Sequence, residues 1–262
     1  ADISLNSEID TINALNAAAK KLQTTHKIIL MIDVGDLREG IWPDTLKKIV
    51  AVIVRCEHII FEGIGCNLAC YGGVIPTPDH MNLLLQQKEI IETEYRTSLK
   101  IISGGNSSGL ELLASGKMPP GINHFRIGET ILLGRNVIDR SPFPGTFQDT
   151  FRIRAEIIEC QWKPSVPIGK IGQDAFGNTP RFNKDKGTRL RAILALGRQD
   201  ISIDGLTPLD ETLEILGASS DHLLVDLTES ERPYRVGETI EFLPNYASLL
   251  AASTSHYLVK SW

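Results

Sequence analysis

RTSLKIISGGNSSG, residues 96–109, runs from an apolar strand pattern into glycines, an asparagine and serines, after which a helix begins. LMIDVGDLREG (30–40) and INHFRIGETILLG (122–134) follow the same plan, with Gly and Arg at the strand end. Several such ends side by side form the usual site of a parallel βα barrel, where the loops after the strands carry the chemistry. Their polar content suits an anionic, planar ligand.

Outward from these stretches the first half alternates strands and helices. ADISLN reads as a short strand, with Ser7 capping a helix to about Lys21 that turns Ile9, Ile12, Leu15 and Ala19 to one face. KIILMIDV (27–34) is continuously apolar, as a strand buried on both faces is. Pro43 opens a helix, HIIFEGIG (58–65) is a strand, and a helix runs from Pro78 to about Tyr95. LKIIS (99–103), a short helix over Ser108–Ser115, and INHFRIG (122–128) complete the series. Strand–helix–strand order predicts βαβ units in a parallel sheet.

The pattern changes near 141–150, where SPFPGTFQDT is rich in turn formers. FRIRAEIIE then alternates with period two: Phe151, Ile153, Ala155 and Ile157 against Arg152, Arg154 and Glu156. RLRAILALG, DHLLVDLTE and ETIEFLP continue this style. We therefore expect a TIM-type βα barrel portion over 1–144 and a mostly antiparallel β domain over 145–262. Only five barrel strands can be counted, whereas a closed barrel has eight. Even with one strand hidden in 130–145, about two units of roughly 30 residues are missing at the N-terminus. The expected polypeptide is a truncated, cleaved or partly represented one, and it starts with Ala rather than Met.

Composition narrows the function. With 262 residues, 42% hydrophobic, a sizeable core is available. A net charge of -5 disfavours nucleic acid, and no apolar run reaches membrane-spanning length. Four scattered cysteines fit a reducing cytoplasm better than a disulfide scaffold. Cys66 and Cys70 lack a second Cys or His pair, so no metal is expected.

Among the chemistry-bearing residues, SGGNSS (103–108) can hold a phosphate through Ser103, Gly104, Asn106 and Ser107, or it can be a tight turn with Asn and Ser caps. Arg38 and Arg126, at strand ends, offer fixed positive forks for a phenolate or pyridine acceptor, or ion pairs on the rim. Asp221-His222 has the make-up of an acid–base dyad or of a capped turn.

Taken together, IDVGDLREGI, GIGCNLACYGG, ISGGNSS, INHFRIGE, KPSVPIGKIGQDAFG, LGRQDI, GASSDHLLVD and TSHYLVK resemble one family across both domains. It is the predicted amino-acid racemase group, which includes ornithine racemases, within the alanine-racemase-like (fold type III) enzymes of pyridoxal 5'-phosphate (PLP). The resemblance implies an isomerase that exchanges the α-proton of a small amino acid, ornithine before alanine, serine or lysine, in a head-to-tail homodimer. By position it assigns Arg38 to the PLP phenolic oxygen, Asn106 and Ser107 to the phosphate, and Arg126 to the pyridine nitrogen. Gly128 and Glu129 come just beyond, and Tyr257 aligns with a phosphate-contacting tyrosine. An arginine opposite that nitrogen keeps it unprotonated, which weakens the ring as an electron sink.

The chain departs from the pattern in three places. Asn67 stands where alanine racemases set a histidine against the cofactor ring. Phe176 falls where they place the tyrosine that acts as second base, leaving Asp174, Asp221 and His222 as candidates. No lysine matches the Schiff-base lysine, which lies on the first barrel strand, so the chain alone is expected to be inactive. The alternatives are a non-catalytic PLP-binding protein, against which the β domain counts, and a barrel that binds another phosphorylated metabolite.

Overall fold

A computed structural model describes residues 1–182 and 184–261, and the chain divides after Thr146 into two compact units. The first holds five strands: β1 (Ile3–Asn6), β2 (His26–Met31), β3 (Ile59–Gly65), β4 (Ile101–Asn106) and β5 (His124–Arg126). They pair in parallel and in chain order, making the half-barrel sheet that the strand-end pattern predicts. Between and after them lie α1 (Ile9–Lys21), α2 (Leu46–Ile53), α3 (Pro78–Tyr95), α4 (Leu110–Ala114) and α5 (Glu129–Leu133).

The core follows the apolar runs. Ile28, Ile29, Leu30 and Met31 are all buried, which is why β2 shows no alternation. Ile12 of α1, Val50 and Ile53 of α2, and Met81, Leu84 and Ile91 of α3 close over the same core. Helix α3 starts where Pro78 fixes φ for the first turn; Thr77 and His80 bond reciprocally in a capping box. The sequence misplaced one cap. Glu8, not Ser7, occupies the N-cap of α1, and Ser7 lies one residue too early to serve the first free amides. Nor does 130–145 hide a strand among the described residues. It starts with α5 and continues as a loop pinned by an isolated bridge between Arg135 and Pro142.

The second unit is an antiparallel sheet of six strands: β6 (Ile153–Pro164), β7 (Thr188–Leu194), β8 (Leu206–Pro208), β9 (Glu214–Ala218), β10 (Leu223–Asp226) and β11 (Thr239–Pro244). Their spatial order is β8-β11-β6-β7-β10-β9, followed in the chain by α6 (Tyr246–Thr254). The period-two reading of β6 holds: Ala155 and Ile157 are buried, Arg154 and Glu156 exposed. Ala155 and Ile157 join Ala192, Leu194, Leu223, Val225, Ile240 and Phe242 in a core of the unit's own. Among the described residues no helix is long and apolar enough to cross a membrane.

Candidate functional site

The C-terminal ends of β3, β4 and β5 gather most of the residues named from the sequence. Parallel pairing sets Ser103 beside His124 and Asn106 beside Arg126, with one extra residue on β4 between the two pairs. Such a bulge re-aims side chains. Here Arg126 reaches back across β4: Nη1 donates to Ser103 Oγ at 2.9 Å, and Nη2 to Cys66 O at 3.2 Å and Asn67 Oδ1 at 3.4 Å. Ser103 is fully buried and also bonds His124 Nδ1 at 2.9 Å. Burial pushes the Arg126 pKa down, with the Glu39 carboxylate opposing. An arginine remains charged under such a shift.

Asn67 ties this arginine to β4. Its Oδ1 also accepts from Asn106 Nδ2 at 3.0 Å, so two donors fix the amide orientation. The opposite atom, Nδ2, is buried and has no hydrogen-bond partner among the described residues. A buried, unmatched donor is costly in a closed fold and marks a place for an acceptor.

The turn after β4 shows the capping role that its sequence offers. Asn106 Oδ1 accepts from Ser108 N at 2.7 Å, an N-cap, while Nδ2 donates to Leu68 O at 2.8 Å. Asn106 is thus engaged within the protein. Ser107 Oγ accepts from Gly128 N at 3.1 Å and Thr130 N at 3.5 Å, leaving its hydroxyl proton to donate to an anion. Gly104 and Gly109 admit the Phe125 ring beneath this turn; a Cβ on either would stand 2.9 or 2.7 Å from Phe125 Cε1. Glu129 turns away to Arg140, and its pKa is raised by burial against that partner.

Arg38 lies in the loop after β2 and is exposed. It forms a forked pair with Glu39 and donates from Nη1 to Cys70 Sγ at 2.7 Å, so the rim ion pair foreseen as its bland role is present. The hydrogen bond to Glu39 holds the Arg38 pKa above its ordinary value. Two residues that the sequence reading passed over build this loop. Asp33 Oδ1 accepts from Gly35 N at 2.8 Å, a turn legible in the D-x-G spacing. Buried Asp36 accepts from Tyr71 N at 3.0 Å, Val74 N at 3.1 Å and Cys70 N at 3.2 Å. That link spans more than thirty residues and has no local signature.

The remaining named residues belong to the second unit. His222 Nδ1 contacts Asp221 Oδ1 at 2.8 Å, and this bond chiefly pulls the Asp221 pKa down. Asp174 caps its own turn, accepting from Phe176 N at 2.9 Å and Asn178 N at 2.8 Å, which likewise lowers its pKa. That direction is opposite to what a base working near neutrality needs. Arg198 connects the two motifs: its N–H donates to Ser219 O at 3.0 Å, and its guanidinium lies 5.1 Å over the Phe176 ring. Tyr257 is exposed just after α6. No group of three or more His, Cys, Asp or Glu among the described residues is able to hold a metal ion.

A planar, anionic cofactor with a phosphate fits the first unit's donors. Arg126, Ser107 and the unmatched Asn67 Nδ2 converge at adjacent strand ends, and an aromatic phosphate offers an acceptor to each.

Comparison with known proteins places both units of the chain. Residues 2–136 match the alanine racemase N-terminal domain, and residues 183–260 a putative serine dehydratase domain. The chain is 49% identical over 261 residues to an ornithine racemase of Acetoanaerobium sticklandii, covering 99% of this chain and 74% of the relative. It is 43% identical over 259 residues to a lysine racemase of Thermotoga maritima, covering 99% and 72%. The fold matches an alanine racemase from Bartonella henselae with covalently bound pyridoxal phosphate at a TM-score of 0.62 and 18% identity, covering 96% of this chain and 67% of that one. Against another solved alanine racemase the chain spans 62% of the structure's length.

Proposed function

Since this chain belongs to the amino-acid racemases that carry the alanine racemase N-terminal domain, we propose that its protein interconverts the L- and D-forms of a diamino acid, ornithine first, with PLP as cofactor. Alanine, serine and lysine are the other substrates to test. The observation that carries the reading is the cluster at the ends of β3, β4 and β5, where Arg126 is locked by Ser103, Cys66 and Asn67 beside the Ser107 hydroxyl. The likeness to an ornithine and a lysine racemase supports the substrate class.

Bound PLP supplies the electron sink that makes the α-proton of an amino acid removable. In this reading Arg126 would donate to the pyridine nitrogen and, being always charged, would leave it unprotonated. Ser107 would donate its free proton to the phosphate, and Arg38, already turned by Glu39 and Cys70, would hold the phenolic oxygen. Asn67 Nδ2 would offer its free donor where the resemblance sets a histidine in alanine racemases. Racemisation needs a base on each face of the substrate. In the family one is a lysine, and no lysine of this chain is assigned to it. Lys27 and Lys100 both pair with Glu62, at 3.5 and 3.8 Å. The other base is His222, oriented by Asp221 and reaching the site of a partner subunit in a head-to-tail dimer.

The test is incubation of the full-length protein and PLP with L-ornithine in deuterium oxide. Loss of optical activity with deuterium at Cα is expected. Unchanged optical activity with ornithine, lysine, alanine and serine alike would refute the proposed activity.

A further inference from the structure

His124 is the one partner of the Arg126 cluster that the assignments above leave without a role. It sits two residues before Arg126 on β5, so both side chains leave the same face of the sheet. Between them stands the Ser103 hydroxyl, 2.9 Å from His124 Nδ1 and 2.9 Å from Arg126 Nη1.

The protons in this chain of three can be placed by elimination. Arginine has donors alone, so Ser103 Oγ accepts from Arg126. The hydroxyl has one proton, and the serine is fully buried. Among the described residues His124 Nδ1 is the acceptor within reach. Were Nδ1 to carry a proton, Ser103 would receive two donors, and its own proton would be buried without a partner. The imidazole is therefore the Nε2–H tautomer, with Nδ1 open. Two further forces keep it uncharged: burial first, then the neighbouring Arg126 cation, both of which lower its pKa.

We propose that His124 is a positioning residue for Arg126: by accepting the Ser103 proton at Nδ1 it turns the Ser103 lone pair onto Nη1 and fixes the guanidinium at the strand end. The claim rests on the reading above in that a fixed Arg126 matters because it faces the pyridine nitrogen. Without the imidazole acceptor the serine rotor is free, and Arg126 keeps the weaker bonds to Cys66 O and Asn67 Oδ1.

The first test needs no cofactor. In full-length protein labelled with ¹⁵N-histidine, the His124 signal, assigned by its loss in His124→Gln, should report Nε2–H, and Ser103→Ala should shift it toward a tautomer mixture. An Nδ1–H signal, or one indifferent to Ser103→Ala, overturns the proposal. The second test uses the PLP-loaded enzyme. His124→Gln, whose amide oxygen can accept the same proton, should keep the wild-type cofactor absorbance and kcat. His124→Leu should alter the absorbance and lower kcat roughly tenfold. Equal behaviour of the two variants overturns it. If the tautomer is as stated but Arg126→Leu leaves the cofactor absorbance unchanged, Arg126 does not face the pyridine nitrogen, and that reading fails separately.

Discussion

The Gly128 amide donates to Ser107 Oγ at 3.1 Å, so the loop after β5 is fastened to the turn after β4 through one hydroxyl. The bond engages the serine oxygen as an acceptor and leaves its proton free to donate, which is the arrangement an anion binder needs.

Removing that hydroxyl should cost the phosphate a charge-assisted hydrogen bond, ~1.5–3 kcal/mol. Ser107→Ala in the full-length protein should weaken PLP affinity about tenfold or more, read by absorbance titration. Wild-type affinity would move the phosphate elsewhere.

Arg126→Glu replaces a permanent donor with a group that can share a proton with the pyridine nitrogen. The ring then becomes a stronger electron sink. With substrate, an absorbance at longer wavelength should build up that wild type does not show, and side products of the cofactor should increase. Spectra identical to wild type would count against the placement of Arg126.

Asp221 has its pKa lowered chiefly by His222, so it is an anion near neutrality and serves to orient the imidazole. His222→Gln should depress α-proton exchange from one enantiomer about a hundredfold, and far less from the other; Asp221→Asn should do the same more mildly. If these and Asp174→Asn all racemise normally, the second base lies outside both motifs.

In the β domain, buried Asp226 faces Arg189 Nε at 2.9 Å. Burial alone would raise its pKa, but Arg189 and the Thr228 amide outweigh it, so the folded value is lowered. A carboxylate depressed by folding adds stability above its unfolded pKa, about 3.9, and loses it as pH falls through the folded value. Asp226→Asn should therefore flatten the acid limb of stability below about pH 4, measured by urea unfolding across pH. An acid limb as steep as wild type would show that Asp226 is not linked to folding.

How much was legible depended on the range of the interaction. Helix α3 was readable because Pro78 and the apolar spacing act within a few residues. The buried run of β2 and the alternation of β6 were readable because side-chain period reports burial directly. The Asp36 tie to 70–74 and the Ser103 contacts with His124 and Arg126 were not readable, since each joins separate segments through the fold. The cap at Glu8 was misread at short range, where a neighbouring serine is the commoner choice.

The Phe125 ring, seated where Gly104 and Gly109 have no side chains, has a bearing on directed evolution. A library randomised over 103–109 would lose many members to a displaced ring before any change in ligand preference was sampled. Selection for new substrates should return glycine at 104 and 109 and place its variety elsewhere. Engineers seeking altered specificity would do better to leave this turn intact.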